Sequence, residues 1–491
     1  MSDILTRIVE KRKQDIEELG INFGFDIPKE RQRPVHKFLT QKGVILEVKR
    51  ASPSKGDISP KLDAGQTACS YTKAGAAAIS CLTETNYFKG TLDDLINVCS
   101  SIDKLESQKG TLLPAVLRKD FLLTAEEIEI SYRAGADAVL LIARILDTNT
   151  IVQMAKDAAA HGMTSLVEVR TEQDLEKLRA VSLAVDNNYI VCGVNSRDLA
   201  TFKIDLLRPV LMLQKIKNIM GDNARVVFES GVTNYECAAS VGALGFTGLL
   251  LGEAAAKNSE LREGLVKAFT TSTPTANCEF WKDFAIGLSQ KKKTPAKICG
   301  LTRIEDALFA EKMGATFLGF IFADAFPRSL TREDRLEKLL PQLDRLNTKK
   351  ITVIVDLESE EAKAAIKYVK HGIFDVVQFH KIPYEQVPQE LLELPHFFAT
   401  DSLEEYENLV SKGEFRVLLD SKILTKTAGQ PQSFKTIYEV KWLAGGITPE
   451  NVQALIEQNH PELIDVSGGI ENSETPGIKN HNKLQKLMEE L

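Results

Sequence analysis

Residues 134–169 read AGADAVLLIARILDTNTIVQMAKDAAAHGMTSLVEV. Two short apolar runs, DAVLLI (137–142) and SLVEV (165–169), flank a helix-like segment over 147–161. The runs are continuous rather than alternating, as in strands buried on both faces of a parallel sheet. Strand, helix and strand in that order imply a right-handed crossover between parallel neighbours. The step Gly135-Ala136 before the first run suits a helix C-cap feeding a strand, and Gly75-Ala76 and Gly242-Ala243 repeat it.

Outward from this unit the pattern continues in both directions. The first half holds eight apolar runs: VILEV (44–48), AAISCL (77–82), PAVLR (114–118), DAVLLI, SLVEV, YIVCGVN (189–195), RVVFE (225–229) and FTGLLL (246–251). After about residue 255 come one more helix and the polar stretches TTSTPTANCEFW and SQKKKTP, which read as a boundary. The series then restarts with AKIC (296–299), TFLGFIF (316–322), ITVIV (351–355), FDVVQF (374–379), HFFAT (396–400), FRVLLD (415–420), VKWLAG (440–445) and LIDVS (463–467), eight again. Eight alternations favour a closed barrel. The predicted class is α/β, two tandem (β/α)8 TIM barrels, the first with an N-terminal helical extension. The expected boundaries are 1–270, a linker over 271–294 with a packed helix possible near 280–288, and 295–491. Half of 491 residues is about 245, close to the ~250 of one such barrel. In the extension, Ile4, Ile8, Ile16 and Leu19 suggest a helix lying on the first barrel.

Composition narrows the function. Lys and Arg number 61 against 68 Asp and Glu, a net charge of −7, so a broadly basic nucleic-acid-binding body is not expected. No apolar run approaches the ~20 residues of a membrane span. The start, MSDILTRIVEKRKQDIEEL, lacks the apolar core of a signal peptide. Seven scattered Cys form no CxxC pair, so neither a zinc site nor a disulfide framework is expected, and a cytoplasmic location is. Neither metal nor cofactor is expected.

Barrel enzymes place their sites where strands end and βα loops begin. In the first half those positions hold Glu47 and Lys49, then Lys119, Glu168, Asn195 with Arg197, Glu229-Ser230-Gly231, and Gly252-Glu253. Taken singly, each has an ordinary structural reading: Glu47 and Lys49 share a strand face and suit an ion pair, and Lys119 suits a solvated loop. Their convergence on one mouth points to chemistry, because charges there are costly to desolvate unless used. Backbone N–H groups at the Gly-rich ends of strands seven and eight suit a phosphate.

The motifs EVKRASPSKG, LRKDF, LVEV, VNSRDL, FESGV and LLGEA, in this order, resemble the series of indole-3-glycerol-phosphate synthases. The resemblance implies ring closure of 1-(2-carboxyphenylamino)-1-deoxyribulose 5-phosphate with loss of CO2 and water. It implies Glu47, Lys49, Lys119, Glu168 and Asn195 as catalytic and Ser52, Phe121 and Arg197 as substrate-binding residues. Ser230, Gly231, Gly252 and Glu253 would hold phosphate. Ser196, where Asn is frequent, is expected to face away.

In the second half the first run ends in Cys299, followed by Gly300, and the sixth ends in Asp420. A Cys at a first strand is ordinarily packing. Here the glycine suggests an exposed thiol able to face Asp420 and shuttle protons, helped by a lowered Cys and a raised Asp pKa. KICGLTRIEDAL, GFIF, VVQFH, VLLD, LAGGITPENV and DVSGGIE resemble N-(5′-phosphoribosyl)anthranilate isomerases. That resemblance implies an Amadori rearrangement with Cys299 as base and Asp420 as acid. Arg328 would take the anthranilate carboxylate, and Gly445, Gly446, Ser467 and Gly468 the phosphate. The chain departs from the family in TKTAGQPQSF, with Gly429 alone in place of a Gly-rich run, and in DAFPRSL around Arg328.

The leading expectation is therefore a fused enzyme of tryptophan biosynthesis. Its partners would be phosphorylated anthranilate–ribose substrates, with no nucleic acid and no membrane, and a monomer is expected. Rivals are a tandem histidine-pathway phosphosugar isomerase, which would need paired Asp bases, and an aldolase using Lys119 as a Schiff base. A third is an active synthase fused to a degraded, scaffold-like second barrel.

Overall fold

A computed structural model describes residues 4–53, 55–109, 113–198, 201–290, 293–420 and 439–491. The chain divides into two compact units, Met1–Pro274 and Thr275–Leu491. Each contains a closed eight-stranded parallel barrel. The first is built from β1 (Gly43–Val48), β2 (Ala78–Leu82), β3 (Ala115–Lys119), β4 (Ala138–Ile142), β5 (Thr164–Val169), β6 (Ile190–Asn195), β7 (Val226–Glu229) and β8 (Gly248–Leu251). β1 closes the ring on β8, with Gly43 beside Gly248 and Leu46 beside Leu251. The second is built from β9 (Ala296–Ile298), β10 (Phe317–Ile321), β11 (Lys349–Ile354), β12 (Val376–His380), β13 (His396–Thr400), β14 (Val417–Asp420), β15 (Trp442–Ala444) and β16 (Leu463–Val466). Here β9 pairs with β16, and Lys297 stands beside Asp465. Every apolar run of the sequence falls on one of these sixteen strands.

In the opening unit, Asp147 caps the helix Thr148–Ala160 by accepting from the Thr150 amide, which fixes the turn out of β4. Barrel 1 is filled by inward positions such as Ile45, Leu117, Leu140, Leu166, Val191 and Val227, all buried. Leu39 closes its N-terminal end, packed where a side chain on Gly248 would stand.

The N-terminal helix Ile4–Leu19 lies on barrel 1, but its buried face differs from the apolar stripe expected. Leu5 and Ile8 are buried together with Arg12 and Asp15, whereas Leu19 is 53% exposed. The reason is polar. Arg12 reaches Asp120 at 2.9 Å and also bonds Glu127, and Asp15 accepts from the Asn86 amide at 2.7 Å. Arg118, fully buried, completes the cluster at 3.1 Å from Asp120.

The stretch expected as a linker, 271–294, contains the packed helix Ala276–Gln290 of the second unit. Trp281 is completely buried, with its ring centroid 5.5 Å from Trp442, and Phe284 lies 5.1 Å from Trp442 and 5.8 Å from Phe317. Phe317 and Trp442 begin their strands, so this helix plugs the N-terminal end of barrel 2. Among the described residues no helix is long and apolar enough to cross a membrane. The departure at Gly429 lies outside the described residues.

Candidate active sites

A cavity of about 200 Å³ opens at the C-terminal end of barrel 1. Glu47, Lys49, Ser52, Lys119, Phe121, Glu168, Asn195, Arg197, Ser230, Gly231, Gly252 and Glu253, each expected from sequence, all line it. Ile4, Leu5 and Ile8 of the N-terminal helix form an apolar wall. At the centre stands Lys119, at the last position of β3. Its ammonium lies 3.1 Å from Glu229 Oε2 and 3.7 Å from Glu168 Oε2. Lys49 Nζ is 3.1 Å from Glu47 Oε1 and sits over the Phe88 ring.

Three carboxylates around two ammonium groups set the proton affinities. Burial works against the Lys119 charge, but Glu229, Glu168 and Glu47 outweigh it and hold its pKa above that of an ordinary lysine. Burial lifts the Glu229 carboxyl to about 7, with Lys119 opposing and Glu168 and Glu47 assisting. Glu229, expected at the mouth as the end of its strand, is the central residue to which the sequence assigned no role. The signal was present, because Glu229 ends β7 beside Asn195 at the end of β6. Among the described residues, Glu229 Oε1 and Glu47 Oε2 are buried oxygens without a hydrogen-bond partner.

The turn after β7 places Ser230 at φ +70° and Gly231 at φ +83°. A non-glycine residue in the left-handed region is strained and marks a constrained site. Ser196 holds this turn. It faces away from the cavity, is fully buried and donates to the Ser230 carbonyl at 3.0 Å, so it braces this turn. A Cβ on Gly231 would stand 2.9 Å from Ile204 and Leu206 side-chain atoms, which leaves no room for a larger residue.

Barrel 2 carries a cavity of about 460 Å³ at the same end. Cys299, Arg328, Asp420, Gly445, Gly446, Ser467 and Gly468 line it, together with Gln378, His380 and Asp465. Cys299 and Asp420 thus share one cavity, from strands three apart around the ring. The thiol is buried rather than exposed as its glycine neighbour suggested. Its pKa is raised, not lowered: burial pushes it up, Lys297 pulls it back, and Asp465 adds to the rise. His380 Nε2 is 4.0 Å from Asp420 Oδ2, and burial together with Lys297 and Lys381 drives the imidazole pKa down to about 4.

Arg328 is pinned by Glu471, with Nε at 2.9 Å and Nη2 at 2.8 Å from Oε2. Glu471 also takes Lys479 at 2.7 Å, and both cations hold it ionised against its burial. Gly445 and Gly446, both on the cavity wall, lie at φ +102° and +69°, in the left-handed region that favours glycine. A Cβ on Gly469 would stand 1.8 Å from the Ile447 carbonyl oxygen, so only glycine fits there.

Comparison with known proteins gives two family matches. The model described as indole-3-glycerol phosphate synthase matches residues 5–267, and that described as N-(5'phosphoribosyl)anthranilate (PRA) isomerase matches 296–490. A multifunctional tryptophan biosynthesis protein of Phycomyces blakesleeanus is 26% identical over 559 residues, covering 99% of this chain and 69% of its own length. The tryptophan biosynthesis protein TrpCF of Helicobacter pylori is 28% identical over 502 residues, covering 99% and 98%. A crystal structure of phosphoribosyl anthranilate isomerase from Thermotoga maritima aligns with 40% of this chain and 98% of its own, at 28% identity and a TM-score of 0.33.

Proposed function

This chain belongs to the indole-3-glycerol phosphate synthase family over residues 5–267 and carries a phosphoribosylanthranilate isomerase domain over 296–490, and on that footing we propose which residues perform its two reactions. It is a bifunctional enzyme of tryptophan biosynthesis. The C-terminal barrel isomerises N-(5'-phosphoribosyl)anthranilate to the aminodeoxyribulose phosphate, and the N-terminal barrel closes that product to indole-3-glycerol phosphate.

In the synthase the observation that carries the reading is Lys119 held protonated among Glu47, Glu168 and Glu229. An arene carbon attacks the ketone carbonyl while the Lys119 ammonium gives its proton to the carbonyl oxygen. Loss of CO2 restores the aromatic ring, and a hydroxyl then leaves as water. Glu168 stabilises the cationic intermediate or takes the proton of the dehydration step. Glu229, with its pKa near neutrality, returns a proton to Lys119. Lys49 and Glu47 form the second acid–base pair. Arg197 takes the substrate carboxylate, Asn195 a hydroxyl, and Ser52 and Phe121 the adjoining walls. The strained Ser230-Gly231 turn and the backbone at Gly252-Glu253 seat the phosphate.

In the isomerase Asp420 protonates the furanose ring oxygen and opens the ring. The Cys299 thiolate removes the C2′ proton, and the resulting enol collapses to the ketone. Arg328 orients the anthranilate carboxylate, and Gly445, Gly446, Ser467 and Gly468 hold the phosphate. A degraded scaffold would have no reason to keep Cys299, Asp420 and Arg328 on one cavity. We further propose a cytoplasmic monomer, which light scattering and fractionation test.

Lys119→Ala is expected to abolish indoleglycerol phosphate formation and spare the isomerase; Cys299→Ala is expected to do the reverse. Turnover retained in either case removes that residue from its role.

A further inference from the structure

β9 carries a second charge that neither reaction step uses. Lys297 lies two residues before Cys299, so both side chains point into the barrel. Its side chain is completely buried, with Nζ 2.7 Å from Asp465 Oδ2 on the neighbouring strand. Gly319 on β10 makes the room. A Cβ there would stand 2.8 Å from Cys299 Sγ and 3.0 Å from Lys297 Cε, so sulfur and lysine stem converge on one point. An ammonium has three donors, and Asp465 does not exhaust them. A lysine in a barrel interior is costly to desolvate, and an apolar pair would fill the space more cheaply. What the apolar pair would lack is a positive charge beside the sulfur.

We propose that Lys297 is a positioning residue of the isomerase, an ammonium held by Asp465 beside Cys299 so that the sulfur can ionise inside the barrel. This rests on the assignment of Cys299 as base. Other charged groups also bear on the thiol. Asp465 on β16 opposes ionisation, Lys479 beyond β16 favours it, and Asp420, His380 and Arg328 line the same cavity. Lys297 keeps its proton throughout: the thiolate takes the substrate C–H proton and becomes a thiol, and only the electrostatic cost of the thiolate changes. The thiol is lifted by burial and drawn down by Lys297 and Lys479, in keeping with this role.

The test is the pH dependence of Cys299 alkylation by iodoacetamide in the full chain, read on the Cys299 peptide by mass spectrometry. Lys297→Met is expected to raise the midpoint by about one to three pH units, the range over which a neighbouring charge acts. Isomerase kcat is expected to fall about tenfold or more with KM little changed, and synthase turnover to be unaffected. Asp465→Asn leaves the ammonium with the sulfur as its remaining partner and is expected to lower the midpoint. An ion pair that only supports the fold would move neither midpoint in these opposite directions. An unchanged midpoint in Lys297→Met overturns the proposal. If that variant is insoluble, Asp465→Asn decides alone, and a midpoint that stays or rises overturns it. Isomerase activity surviving in Cys299→Ala removes the base assignment instead, whatever the midpoints do.

Discussion

Gly193 offers the sharpest probe of the synthase site because it carries no chemistry of its own. It lies on β6, beside Val227 in register, with its Cα directed at the Glu229 carboxylate. A Cβ at this position would stand 2.1 Å from Glu229 Oε1 and 3.4 Å from Leu166 Cδ1. Real Cβ atoms do not come within 3.0 Å of such a neighbour, so in Gly193→Ala the carboxylate must retreat by about 0.9 Å. Glu229 is 1% exposed and cannot swing into solvent. Its other oxygen holds Lys119 at 3.1 Å, so the retreat drags or releases the ammonium. Misplacement of a reacting group by about 1 Å can cost roughly 100-fold in rate, and overpacking of a core costs about 1–3 kcal/mol. The expected result is a synthase kcat lower by about two orders of magnitude, followed by indoleglycerol phosphate fluorescence. Isomerase turnover in the same chain serves as the internal control and should be unchanged. Adding Glu229→Asp shortens the crowded side chain, and the double variant should recover part of the loss, a coupling read by a double-mutant cycle. A synthase kcat in Gly193→Ala within about threefold of the parent, without loss of stability, would refute the placement of Glu229 as the partner that holds Lys119.

Three further outcomes are expected. Arg12→Met removes the cation shared by Asp120 and Glu127 in a buried cluster, and should destabilise the first unit by about 3–5 kcal/mol in denaturant titration; unchanged stability would show that the N-terminal helix is held without this ion pair. Trp281→Ala empties the plug of barrel 2 and should cost about 3–5 kcal/mol, with isomerase lost at a lower temperature than synthase; coincident inactivation of the two would contradict the assignment of this helix to the second unit. His380 should stay neutral on acidification, because burial and the nearby Lys297 and Lys381 disfavour the imidazolium. Its ring resonance should not shift as the pH falls from 8 to about 5.5, and a midpoint near the ordinary ~6.5 would count against the buried placement.

The strands were legible because a barrel strand buried on both faces must be an unbroken apolar run, and nothing else in this chain is short, apolar and followed by a helix of fitting length. Even the mouth residues were legible, since strand ends are fixed once strands are. What sequence could not show was side-chain partnership. Arg12 and Asp15 look like the solvated face of an amphipathic helix, yet they are buried because Asp120, Glu127 and Asn86 await them more than seventy residues away. A packed helix near 280–288 was expected as a possibility, but not what Trp281 and Phe284 pack on, because Trp442 and Phe317 are also remote in sequence. Glu229 was placed at the mouth but given no role for the same reason: its role depends on Lys119, four strands away around the ring.

The two mouths apply one fold to opposite charges. In the synthase the reaction develops positive charge on the substrate nitrogen, and the cavity carries Glu47, Glu168 and Glu229 against Lys49 and Lys119. In the isomerase the proposed base is a thiol, which would have to become an anion, and the sulfur is approached by Lys297 and Lys479, with Arg328 on the cavity wall. Burial is unfavourable to both charged forms, since desolvation disfavours any ion. In each case it is opposed by neighbours of the sign complementary to the ion that the chemistry needs: three carboxylates keep Lys119 protonated, and two lysines ease the ionisation of Cys299. The backbone of the barrel fixes only where the strand ends point. On this reading, neutralising Lys119 should abolish the synthase and neutralising Lys297 should slow the isomerase, each without disturbing the other barrel.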